Sequence, residues 1–239
     1  MKKKIAIVTG AANGIGKSTS KKLEEQNYKV IKVDKIFDST NENEIKLDVL
    51  DETAVNKKFK ELYLKFGSID ILINAIGGTL HSKSIENINF QNFKKTMDLN
   101  LLSVFNCTKN VVPYMKKQNW GRIVNIAAVA GRTSTFFGGV DFSASKSAVI
   151  GFTRQAAFEL ADFGITVNAI SPGLTMTERV NNMWSDYTKE KREEILSRIP
   201  INRASTVDEQ ADTIEFLCSE KASYICGAVI DVNGAMFVG

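Results

Sequence analysis

The sequence predicts a single doubly wound α/β domain, with about seven parallel strands and helices on both faces. Three observations predict it. Short apolar runs of strand length recur along the chain and alternate with stretches of helical periodicity. The first run passes at once into a glycine-rich turn and then a helical stretch. The 239 residues are 44% hydrophobic, enough for one core, with no repeat, linker or low-complexity tract to divide residues 1–239.

The first strand is Ile5 to Val8, followed by Thr9-Gly-Ala-Ala-Asn-Gly-Ile-Gly16. Gly10 allows a tight turn, Gly14 lets backbone approach a diphosphate, and Gly16 lets the helix lie close to the strand. The helix amino terminus then offers free N–H groups and the positive end of the helix dipole. The second strand, Val30 to Asp34, ends in an acid. An aspartate there can accept hydrogen bonds from both ribose hydroxyls of NAD and repels the 2′-phosphate of NADP. Asn13, ahead of Gly14, brings no positive charge, and both features point to NAD. Ile15 and Lys35 complete this part of the candidate cofactor wall.

Glu44 to Val49 reads as a third strand and Asp51 to Phe66 as an amphipathic helix, with Val55, Phe59, Leu62 and Phe66 at helical spacing. Asp70 to Gly77 is a fourth strand, and Phe90 to Lys116 is expected as one long helix containing Asn100. The stretch from Arg122 to Lys146 predicts a buried strand, a polar loop and the first turn of a helix carrying a lysine. In such a sheet the carboxyl end of that strand is where a reacting substrate sits. Ile165 to Gly173 and Gly227 to Gly234 are further strands, and Thr206 to Ser219 is a helix. Between them, 178–198 is polar, with Val180, Met183, Trp184 and Tyr187 at helical spacing. Met183 and Trp184 fit a ligand wall and a core equally well.

In order and in motif, these segments resemble the short-chain dehydrogenase/reductase family over essentially the whole chain, and its 3-oxoacyl-acyl-carrier-protein reductase-like members in particular. The resemblance implies a Rossmann-type fold and hydride transfer between NAD(H) and a small carbonyl, alcohol or activated C=C substrate. It also implies a homodimer or homotetramer formed through the long helices. Asp48 by its side chain and Val49 by its backbone then meet the adenine, and Asn74 braces the sheet and, with Ala75, lies on the adenosine side. Pro172, Gly173, Thr175 and Thr177 serve the nicotinamide end and the phosphates, and residues around 175–200 form a substrate lid whose large apolar residues suit a partly apolar ligand. Asn100 matches the catalytic asparagine whose carbonyl holds a water near the catalytic lysine, here Lys146.

Two catalytic positions depart from the family. Where it has a serine and a tyrosine, this sequence has Ala128 and Phe142. In the ordinary reaction the tyrosine passes a proton to or from the substrate oxygen, and the lysine four residues on lowers the tyrosine pKa and holds the nicotinamide ribose. That spacing puts both side chains on one helix face. Phenyl for phenol keeps the shape and removes the proton, a loss of roughly two to four powers of ten in rate. Moving the serine register by one residue meets Ala127, also without a hydroxyl. Of the family's Asn-Asn-Ala-Gly, the chain keeps only the first Asn and the Gly, in Asn74-Ala-Ile-Gly77.

Three functions are compatible with this pattern. One is an oxidoreductase whose proton is handled elsewhere, by Asp141, His81, Tyr187, Thr133 or Ser134, or by water in C=C reduction. Another is a non-redox enzyme or degenerate NAD-binding protein on the same scaffold. The last is a deliberately inactivated form of an ordinary member, against which Ala127 and the altered 74–77 segment argue.

Other classes are disfavoured. The 31 basic and 27 acidic residues are scattered, which is a solvated surface and not a nucleic-acid face. Only Ile5 to Val8 follows the early lysines before the chain turns glycine-rich, and no apolar run is of bilayer length, so neither signal peptide nor membrane span is expected. Three cysteines without metal-ligand or disulfide spacing predict reduced thiols in the cytoplasm and no metal centre.

Overall fold

The computed structural model describes residues 3–37, 41–80, 83–136 and 138–239. Seven strands form one parallel sheet: β1 Ile5–Thr9, β2 Lys29–Asp34, β3 Glu44–Lys46, β4 Ile71–Asn74, β5 Gly121–Ile126, β6 Ile165–Pro172 and β7 Val229–Val232. Their order is β3-β2-β1-β4-β5-β6-β7. The order reverses beside β1, which pairs with β2 (Ala6 opposite Val30) and with β4 (Ala6 opposite Ile71). That switch point opens a crevice at the carboxyl ends of the strands.

The helices are α1 Gly14–Glu25, α2 Glu52–Phe66, α3 Phe90–Met97, α4 Ser103–Gln118, α5 Val140–Leu160, α6 Glu178–Ser185, α7 Lys189–Ser197 and α8 Val207–Cys218. Strand alternation divides the core between two faces. Ile5, Ile7, Ile31, Val33, Leu72 and Ile123 meet α2, α4 and α5 through Val55, Phe59, Val111, Met115 and Leu160. Ala6, Val8, Val30, Ile71, Ile73 and Val124 meet α1 and α8 through Leu23, Ile214 and Leu217. Phe59 is fully buried, and removing a side chain of that size from water stabilises the fold by about 2–3 kcal/mol. Asp51 starts α2 by accepting the Ala54 N–H at 2.9 Å, and Gly67 ends it in the left-handed conformation at φ 78°. Among the described residues no helix is long and apolar enough to cross a membrane.

The sequence reading differs from the structure in two helical regions. The expected long helix from Phe90 is interrupted by a π-turn at Asp98–Leu102. The wider turn goes with a fully buried Asn100, whose Nδ2 donates to the Thr96 carbonyl at 2.9 Å. In the 178–198 segment the four residues at helical spacing do not share one helix, because α6 ends at Ser185 and α7 begins at Lys189. Thr188 caps α7 by accepting the Lys191 N–H at 3.3 Å, so the chain turns at 186–188 and Tyr187 lies outside both helices.

A buried polar chain ties the middle of the sheet to its helices. Asn74 Nδ2 donates to Asn125 Oδ1 at 2.8 Å and to Thr108 Oγ1 at 3.2 Å, and Asn125 Nδ2 donates to Thr153 Oγ1 at 2.9 Å. Asn125→Ala takes from the buried Asn74 amide the shorter of its two acceptors and leaves Thr108, and urea unfolding should show a loss of about 1–3 kcal/mol. An unchanged midpoint would mean that the chain of amides carries no stability.

Candidate active site

One cavity of about 910 Å³ runs along the carboxyl ends of the central strands, from the β2 end to α6. Its floor at one end is the turn after β1. Gly10 sits at φ 66°, and a Cβ there would lie 2.7 Å from the Ala75 carbonyl oxygen, so only glycine permits this approach of β1 to β4. Gly14 opens α1 with its N–H aimed into the cavity, and that N–H donates to Glu178 Oε2 at 2.9 Å. The free N–H groups of a helix start and this carboxylate show that the seat accepts an anion.

At the β2 end, the Asp34 carboxylate accepts the Ala12 N–H at 3.2 Å and the Ile36 N–H at 3.3 Å, which fixes its negative charge beside the glycine turn. Asp48 accepts the Leu50 N–H at 3.0 Å. Both carboxylates line the cavity, with Asn13, Ile15, Gly16, Lys35, Val49 and Ala75. Pro172, Gly173, Thr175 and Thr177 line its middle, with Thr177 capping α6 by accepting the Val180 N–H at 3.3 Å.

At the far end, Ala127, Ala128, Phe142 and Lys146 share a wall with Phe136, Met183 and Tyr187. The loop before α5 folds onto the Phe142 ring, since a Cβ on Gly138 would lie 2.8 Å from its Cδ1. Lys146 is buried on the inner side of α5 and donates to the Ile126 carbonyl at 2.6 Å. Burial, with a smaller contribution from the Arg179 charge, pushes its pKa down to about 7. Asn100 and Lys146 converge at Gly77, where a Cβ would lie 2.6 Å from Asn100 Oδ1 and 3.0 Å from Lys146 Nζ. Asn100 also grips the next residue, accepting the Gly78 N–H at 2.9 Å and donating to its carbonyl at 3.0 Å.

Several expectations need correction. Asn74 braces the sheet but does not line the cavity, because its side chain points into the β4–β5–α4 interior. The role expected of Asn100 belongs to its backbone carbonyl and is not among these corrections; its side chain lies behind Gly77 and Gly78, beside Lys146. Asp141 is buried and accepts the Thr96 hydroxyl at 2.6 Å, turned away from the cavity. Thr133 and Ser134 line a separate surface hollow, and Trp184 packs with Leu174, Ile195 and Ile199. His81 lies outside the described residues. Glu178, Arg179 and Phe136 line the cavity without having been singled out from the sequence. An acid and a base at the start of an exposed helix carry no pattern that separates them from ordinary surface charge.

The family model described as "Enoyl-(Acyl carrier protein) reductase" matches residues 10–236. The 3-oxoacyl-[acyl-carrier-protein] reductase FabG of Buchnera aphidicola is 39% identical over 100% of this chain and 99% of its own. That of Aquifex aeolicus is 36% identical over 98% of this chain and 97% of its own. Among solved structures, ElxO with NADP bound superposes at a TM-score of 0.88 with 30% identity, covering 99% of each chain. YwfH, an NADPH-dependent reductase involved in bacilysin biosynthesis, does so at 0.91 with 26% identity, again over 99% of each chain. With this sheet order and relatives matched from end to end, the chain belongs to the short-chain dehydrogenase/reductase family.

Proposed function

We propose that the protein is an NAD(H)-linked oxidoreductase acting on a small, partly apolar carbonyl, alcohol or activated C=C compound through a site without the family's serine and tyrosine. The observation that carries this reading is the continuity of one cavity from the glycine turn and Asp34 to Lys146. The residues fit a dinucleotide. Gly14 offers a backbone donor at an anion seat, Asp34 and Asp48 present carboxylates at the adenosine end, and Thr175 and Thr177 flank the middle. A nicotinamide bound at the Lys146 end supplies or accepts the hydride. NAD over NADP is supported by the fixed charge of Asp34, although ElxO and YwfH use NADP and NADPH.

Lys146 would hold the nicotinamide ribose and, with no phenol beside it, carry the proton for the substrate oxygen. Its depressed pKa suits exchange near neutral pH. Tyr187 brings a phenol from the lid to the same cavity. Phe136, Phe142 and Met183 give the substrate end its apolar side, and 175–200 acts as the lid over it. Arg198 rests on the Phe136 ring at 4.7 Å, which links α7 to the opposite loop. Exposed Leu102, Phe105 and Phe158 on the α4–α5 side support a dimer or tetramer, and the three free cysteines support a cytoplasmic setting.

A second reading is a nucleotide-binding protein that has lost redox chemistry. It is favoured by the absence of a hydroxyl at both 128 and 142. A tyrosine-to-phenylalanine variant of ElxO, 31% identical to this chain, was solved with NADPH bound, in keeping with nucleotide binding that outlives such a change.

Fluorescence titration should show NADH binding that weakens by about tenfold or more in Asp34→Ala, the cost of a lost charged acceptor. No binding of NADH or NADPH would end the oxidoreductase reading. Restoring both hydroxyls in a Phe142→Tyr, Ala128→Ser variant should raise ketone reduction by roughly two to four powers of ten. A double variant no faster than wild type would show that the rest of the site is not aligned for this chemistry.

Lys146 also predicts a pH dependence. Its folded pKa of about 7 lies below its ordinary value of 10.5, so between these values the unfolded chain holds a proton that the folded chain lacks. The burial penalty is therefore full below about pH 7 and is relieved as pH rises. The urea midpoint of the ligand-free protein should climb through this window relative to Lys146→Met. Parallel curves for the two proteins would show that Lys146 is not desolvated.

A further inference from the structure

Glu178 holds the one backbone donor that the dinucleotide reading most needs. The Gly14 N–H, first in α1, donates to Glu178 Oε2 at 2.9 Å. Thr177 presses against the same residue, its methyl 3.1 Å from where a Gly14 Cβ would be. The next residue along, Arg179, reaches the other wall. Its Nη1 lies 2.5 Å from where a Gly78 Cβ would be and donates to the Thr79 carbonyl at 3.3 Å. The first turn of α6 is thus strapped across the cavity at two points, one on the β1–α1 turn and one on the segment after β4.

We propose that Glu178 is an internal competitor for the diphosphate seat, so that the strap occupies this seat in the ligand-free protein and a dinucleotide binds fully only by exchanging its diphosphate for this carboxylate. The inference rests on the dinucleotide reading given above. A helix start stabilises one anion through its free N–H groups and dipole. Two anions at the same N–H repel each other, and only one can accept a linear hydrogen bond. The apparent dissociation constant is then the intrinsic one divided by the fraction of molecules with the strap open. A nucleoside without phosphate leaves the seat to the carboxylate, so its binding is indifferent to Glu178. As an acid in the first turn of α6, Glu178 also favours that helix. That role alone affects helix stability and leaves nucleotide affinity where it was.

The test is equilibrium titration of the full chain with NADH, in wild type, Glu178→Gln and Glu178→Ala, with inorganic pyrophosphate as displacing probe and adenosine as the phosphate-free control. Both variants should bind NADH about three- to tenfold more tightly than wild type, pyrophosphate should displace it at correspondingly lower concentration, and adenosine affinity should stay constant. Equal or weaker NADH binding in both variants, with wild type still binding, overturns the competitor role and leaves the cofactor reading standing. Adenosine tightening as much as NADH also overturns it, because the change would then be a general loosening of the cavity. No dinucleotide binding by any of the three proteins overturns both readings.

Discussion

The close approach of backbone to backbone at the end of β1 is the constraint on which the rest of the site depends. Gly10 lies against the Ala75 carbonyl and Gly16 against the Gly10 carbonyl, and a side chain at either position would push α1 off the sheet. With α1 held there, its amino terminus faces the crevice at the switch point and Gly14 presents an N–H to it. Asp34 is fixed by the same turn through the Ala12 N–H, so the charge at the β2 end of the cavity is set by backbone geometry. The floor of the cavity is made largely of main chain. The walls carry the variation.

Those walls differ chemically from one end to the other. Near α1 they are polar and anion-accepting. Near α5 they are a phenyl ring, two alanines and a lysine that donates to the Ile126 carbonyl. In the family pattern a phenol would share the charge of that lysine. Here the ammonium keeps its full desolvation cost, which is why its pKa falls so far.

The architecture was legible because both of its periods are written in the chain. Alternating apolar strands place Ile5 and Ile7 on one face and Ala6 and Val8 on the other, and helical spacing places Val55, Phe59 and Leu62 in the core. The glycine turn, Asp34, Phe142 and Lys146 were legible from motif and spacing. Asn74 was misplaced because the motif fixes its position in the strand but not the direction of its side chain. The π-turn at Asp98–Leu102 adds a residue to one turn without any proline or glycine to announce it. Glu178 and Arg179 acquire their positions only from the fold, which brings the start of α6 over α1 and the segment after β4.

The sheet order has a consequence for biosynthesis. β1 is an interior strand and among the first segments made, yet one of its two neighbours, β4, begins only at Ile71, and β5 and β6 come later still. On the ribosome, Ile5 to Val8 is a wholly apolar strand with one edge unpaired until that neighbour emerges, a state open to association with other nascent chains. The cavity takes shape only when β6 has joined β5, and α6 follows it in the chain. A truncated product that stops before residue 165 would carry an intact glycine turn and an exposed apolar sheet edge, with no site to show for either.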